Sequence, residues 1–145
     1  MKRIINGKVY DTDTAKEVGK WENYGSWRDF NHMEETLYQK RTGEFFLYGQ
    51  GGPQTKYAVS VGQTSWEGGS KIIPLTWENA RDWAEKNLDA EDYERIFGEV
   101  LEDDSRVVVT LSLSAGVVEF AKRKAAQDGV SLSAYFESVI KELQS

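Results

Sequence analysis

Apolar and polar residues alternate most regularly between Arg106 and Leu113, where Val107, Val109, Leu111 and Leu113 interleave with Arg106, Val108, Thr110 and Ser112. A period of two predicts a strand with one apolar face. The period then lengthens. Val117, Phe120, Ala121 and Ala125 recur at spacings of three and four, the stripe of a helix. Ser114 stands where an N-cap hydroxyl accepts from free first-turn N–H groups. Gly129 ends the helix, because glycine takes the left-handed C-terminal conformation without a Cβ penalty. Ser131 caps a second helix with the stripe Leu132, Phe136, Val139, Ile140 and Leu143. A segment of about forty residues is too small to bury a core by itself, and a lone strand leaves two unpaired edges. A homodimer resolves both problems. Two strands pair antiparallel, four helices close over them, and Val107, Val109, Leu111, Leu113, Phe136 and Ile140 become the dimer contact.

The patterns before this segment are shorter. Asn6-Gly7 separates two apolar runs and predicts a hairpin, since both turn positions need positive φ. Residues 15–24 read as a strand anchored by Val18 and Trp21. The clearest hairpin runs from Met33 to Tyr48 and turns at Thr42-Gly43, with aromatic and β-branched residues suited to a half-buried sheet. Gly49, Gly51, Gly52 and Pro53 predict a loop, and Tyr57–Val61 and Lys71–Pro74 further strands. Thr76 caps a helix through WENARDWAEKNL, Asp89 starts another through YERIF, and Gly98 ends it. The chain thus reads as α+β: a domain over residues 1–98 with a small antiparallel sheet and one or two helices, an acidic linker over 99–105, and a strand-helix-helix dimerisation unit over 106–145. All five tryptophans, Trp21, Trp27, Trp66, Trp77 and Trp83, fall in the first domain, and a few of them are expected to supply much of a small core.

Charge sharpens this division. Lys plus Arg number 18 and Asp plus Glu 24, for a net charge of −6. The segment from Glu78 to Asp104 alone carries eleven acidic and three basic side chains, while residues from Arg106 onward are near neutral. A general nucleic-acid binder would show the opposite, because phosphate contacts dominate such affinity. Glu78, Asp82 and Glu85 fall on the polar side of the first predicted helix, and Glu91, Asp92 and Glu94 crowd the second. These six are the expected partner contact, imitating phosphates before a basic channel. The plainer alternative is a solvated face with acidic first turns favoured by the helix dipole.

Little chemistry is on offer. The chain has no cysteine and one histidine, His32, which reads as an exposed loop residue rather than a metal ligand or base to Asp29, Glu34 and Glu35. The run Gly49-Gln50-Gly51-Gly52 lacks the Gly-Lys-Ser/Thr of a phosphate loop. No catalytic residue, metal or cofactor is expected. The stretch MKRIINGKVY has no apolar run of signal-peptide length, and no segment nears the ~20 apolar residues of a membrane span, so a cytoplasmic protein without membrane contact is expected.

Two resemblances add to this. The element order of the last segment and its GVSLS turn resemble the ribbon-helix-helix family. That implies a β-ribbon reading DNA through Arg106, Val108, Thr110 and Ser112, a phosphate held at the Ser131 N–H, and a regulator such as an autorepressor or antitoxin. The strings MKRIINGKVYDTDTA, EETLYQKRTGEFFLYGQGG, KIIPLTWENARDWAEKNL and DYERIFGE resemble a family of mobile-element proteins of Firmicutes that includes type II anti-CRISPR proteins. That implies a phage- or plasmid-encoded homodimer which inhibits a CRISPR effector nuclease in its bacterial host by non-catalytic binding.

Overall fold

β4 (Met33–Gln39) and β5 (Phe45–Gly51) form the central hairpin of a four-stranded antiparallel sheet in the computed structural model, which describes residues 1–23 and 29–144. The turn closes at Gly43, whose φ of 92° requires glycine. Their register sets Leu37 opposite Leu47 and Tyr38 opposite Phe46. β3 (Lys16–Glu22) flanks β4 with a bulge between Glu17 and Gly19, and β8 (Gly69–Leu75) flanks β5, giving the order β3-β4-β5-β8. Two further hairpins lie outside this sheet. β1 (Lys2–Ile5) and β2 (Lys8–Asp11) join through Asn6 and Gly7 at φ 52° and 75°, the turn that the Asn-Gly pair predicts. β6 (Val59–Val61) pairs with β7 (Ser65–Glu67), a strand the sequence pattern did not mark.

Both faces of the sheet are covered. On one, Val18, Leu37, Phe45 and Leu47 pack with Ala80, and Ile73, Leu75, Trp83, Ile96 and Phe97 surround them. These contacts bring in α1 (Trp77–Asn87) and α2 (Ala90–Phe97), capped by the Thr76 and Asp89 side chains. On the other, Tyr10, Phe46 and Ile72 pack with Ile5, Ala15, Tyr38 and Tyr48, and the β1–β2 hairpin supplies the cover. Two-sided burial explains why Glu35, Thr36 and Leu37 are buried in succession, where a half-buried strand would alternate. The tryptophan expectation is corrected. Phe, Tyr, Leu and Ile make the core, Trp83 alone among the described tryptophans packs against it, and Trp66 and Trp77 are exposed. Trp27 lies outside the described residues.

The chain divides into two compact units, Met1–Glu102 and Asp103–Ser145, and the division falls within the acidic stretch 99–105. In the second unit α3 (Ala115–Asp128) is capped by Ser114 and ended by Gly129 at φ 67° in the left-handed region; α4 (Leu132–Gln144) follows. The predicted strand over Arg106–Leu113 is not formed. Strand hydrogen bonds come from a neighbouring strand, and one copy of this unit has none to offer. The alternation is nonetheless visible, since Val108 is 96% exposed against 66% for Leu111. Among the described residues no helix is long and apolar enough to cross a membrane.

Candidate functional site

Three places gather chemistry. The first is the acidic surface of α1 and α2. At 3.6 residues per turn, Glu78, Asp82 and Glu85 share one side of α1, opposite the buried Ala80 and Ala84. All three are exposed, as are Glu91 and Glu94 on α2. Asp92 departs from the expectation. It is half-buried and bonded to the Arg95 guanidinium at 3.1 Å, so its charge is already engaged. Where the two helices meet, an open groove of about 520 Å³ has Leu88 and Tyr93 in its lining beside Arg81 and the carboxylates of Glu85, Asp89 and Glu94. An apolar floor with a carboxylate rim suits a lysine or arginine, whose stem is apolar and whose head is charged.

The second place is built round Glu35, which sequence reasoning did not single out. It shares its side of the sheet with Leu37 and Leu47, and it is only 4% exposed. Its cross-strand partner is Gly49, where a Cβ would stand 1.9 Å from the Tyr57 ring. The missing side chain therefore leaves room for Tyr57, whose phenol donates to Glu35 Oε2. Trp83 of α1 donates its indole N–H to Oε1 at 3.0 Å, and the Lys56 ammonium lies 2.8 Å from Oε2. Burial alone would raise this carboxyl, but the bonds from Lys56, Tyr57 and Trp83 together hold it below the usual range. Burial and Glu35 push the Tyr57 phenol up, so it remains a donor. Held by donors from Lys56, Tyr57 and Trp83, Glu35 is a pin joining sheet, loop and helix. A charged residue at a core-facing position of the Glu34-Glu35-Thr36-Leu37 run was the available signal.

The third place corrects the reading of His32. It is 3% exposed, not a surface loop residue. Its N–H donates to the Asp29 carbonyl at 3.1 Å and its carbonyl accepts from Gly52 at 2.9 Å. His32 stands just before β4, two residues from Glu34, and Glu22 lies directly opposite Glu34 in the ladder. One ligand atom from each of Glu22, His32 and Glu34 falls within 4.8 Å of the others.

The positions of the second unit expected to read DNA are exposed, but Arg106 is paired within the unit. Its guanidinium bonds Glu137 of α4 at 2.9 Å. Val108, Thr110 and Ser112 bear no charge, and the Ser131 hydroxyl is taken up as a helix cap by the Ala134 N–H at 3.1 Å. Of the proposed dimer contacts, Val107, Val109, Leu111, Leu113 and Ile140 are exposed in the single chain and Phe136 is half-buried. Compared with family models, curated proteins and solved structures, the chain shows no match.

Proposed function

We propose that the protein is a non-catalytic inhibitor that binds a nucleic-acid-handling protein, with a CRISPR effector nuclease as the target that its sequence resemblance implies. The observation that carries this reading is the stripe of exposed carboxylates on α1, continued by Glu91 and Glu94 and the carboxylate-rimmed groove of α2. Nucleic-acid channels are lined with Lys and Arg, so such a face is steered toward them and competes with phosphate. Dimerisation belongs to the same proposal. Two copies of Arg106–Leu113 pair as a ribbon-helix-helix unit, and their apolar positions become buried.

The test replaces Glu78, Glu85 and Glu94 by Gln and Asp82 by Asn, all exposed and remote from the core. Binding to a purified RNA-guided nuclease is then followed with and without DNA. The variant keeps its melting temperature and loses affinity, most strongly at low salt where screening is weakest. Full inhibition by the folded variant rejects the acidic face.

A second reading, a DNA-binding regulator, is favoured by one observation. The order extended segment, α3, left-handed Gly129 and α4 leaves an apolar alternation uncovered, as a ribbon of two copies requires. The Arg106–Glu137 pair weighs against it. A shift of the protein's own promoter fragment that disappears on joint Arg106→Ala and Thr110→Ala substitution would decide for this reading.

A further inference from the structure

We propose that Glu22, His32 and Glu34 form a binding site for a divalent cation of the Zn²⁺ class, clipping the end of β3 to the start of β4. The ligand set comes from strand geometry. His32 directly precedes β4, two residues before Glu34, and Glu22 is the in-register partner of Glu34. The ligand atoms lie within 4.8 Å of one another, with His32 Nε2 3.9 Å from Glu22 Oε2. Ligands at the usual Zn–N and Zn–O lengths, about 2.0–2.2 Å, stand roughly 3–4 Å apart round one ion. Glu22, whose side chain is 60% exposed, can swing the remaining distance.

Two independent features point to a cation. Carboxylates directly opposite one another across a ladder repel. Among the described residues Lys20 stands 3.8 Å from Glu34 Oε2, one positive charge beside two carboxylates. The surroundings also hold the ligands in place, as the outer partners of metal ligands do. The Gln50 amide donates to Glu34 Oε1, so the oxygen a cation would take is Oε2, which now has the Lys20 ammonium at 3.8 Å. Asn23 accepts from the Met33 N–H at 2.8 Å and donates to the Asn31 carbonyl at 2.7 Å, so the chain beside Glu22 is tied to the chain on both sides of His32. The His32 main chain is anchored to Asp29 and Gly52. One imidazole with two carboxylates selects Zn²⁺-like ions over Mg²⁺ and Ca²⁺, which prefer oxygen alone.

His32 is the sole histidine, so its imidazole signals in the NMR spectrum are unambiguous. Zn²⁺ alone is titrated into the full, tag-free chain. The expected result is saturation of an imidazole shift at one ion per chain with micromolar or tighter affinity, unchanged by millimolar Mg²⁺. Glu22→Gln, a surface change that leaves the fold intact, weakens binding at least tenfold. Imidazole signals that do not move in millimolar Zn²⁺ overturn the proposal. So does binding that Glu22→Gln leaves unaltered, or that Mg²⁺ displaces.

Discussion

The two units solve the same problem, covering apolar surface, in opposite ways. Met1–Glu102 covers both faces of its sheet from within its own chain, with α1 and α2 on one side and the β1–β2 hairpin on the other. Asp103–Ser145 has two well-capped helices but buries only Ala121 and Ala125 among its apolar residues. Val107, Val109, Leu111, Val117, Phe120, Ile140 and Leu143 all remain exposed. A run of this kind exceeds what isolated surface residues explain, and the proposed pairing with a second copy would cover it. The lesson is that a correct local pattern does not imply a finished fold. The first unit closes over its own core as one copy, and the proposed pairing with a second copy is what would close the second.

The largest effect expected from this contrast is in the second unit. Leu111→Glu places a charge where the dimer would bury it, at a cost of several kcal/mol per copy. Sedimentation should give a dimer for the unmodified chain and a monomer for the variant, with loss of helical CD from the second unit. All tryptophans lie before Gly98, so their fluorescence should not change. A monomeric unmodified chain would break the comparison at its root.

Phe46→Ala acts in the other direction. Phe46 is fully buried, stacked on Tyr38 at 5.2 Å and met edge-on by Tyr10 at 5.5 Å. Its truncation should destabilise the first unit by about 3–5 kcal/mol. The loss should appear in tryptophan-detected urea unfolding at any protein concentration, whereas the second unit's midpoint should rise with concentration as a dimer's does.

The contrast also explains what was legible in the sequence. Asn6-Gly7, Thr76, Asp89, Ser114 and Gly129 announced turns and caps because each acts on its own few residues. The central hairpin was readable from its aromatic run. The Glu35 pin was not, because its partners Lys56, Tyr57 and Trp83 are distant in the chain and meet only through the fold. The burial of His32 was missed for the same reason, since the Gly52 bond that anchors it is made across a loop. The tryptophans misled because size was taken for burial, yet a large ring is rarely fully covered in a small unit. The strand over Arg106–Leu113 was legible only as a tendency, since alternation marks a face while strand hydrogen bonds need a neighbouring strand, which the single chain does not supply there.

Smaller effects come from charge, and here too the units should differ. Glu35 and Glu137 are both carboxylates held below their usual range, the first by Lys56, Tyr57 and Trp83 against the opposing effect of burial, the second by Arg106. A carboxyl depressed by folding contributes stability that is complete above its unfolded pKa. That stability is lost as pH falls through the folded value, because the unfolded chain takes up the proton first. The acid limb should therefore begin below about pH 4–5, the ordinary carboxylate range. Glu35 is buried, so its bonds are little screened, and Glu35→Gln should cost about 1–3 kcal/mol at neutral pH. The same change should flatten the acid limb of the tryptophan-detected transition. Glu137 sits in solvent, where an ion pair is screened and largely offset by the ordering of two long side chains. Glu137→Gln should leave the second unit's acid response unaltered within error, as read by helical CD. An equal loss from both substitutions would show that the two carboxylates share one environment. A loss confined to Glu35→Gln would show that the closed unit, not the open one, depends on a buried charge.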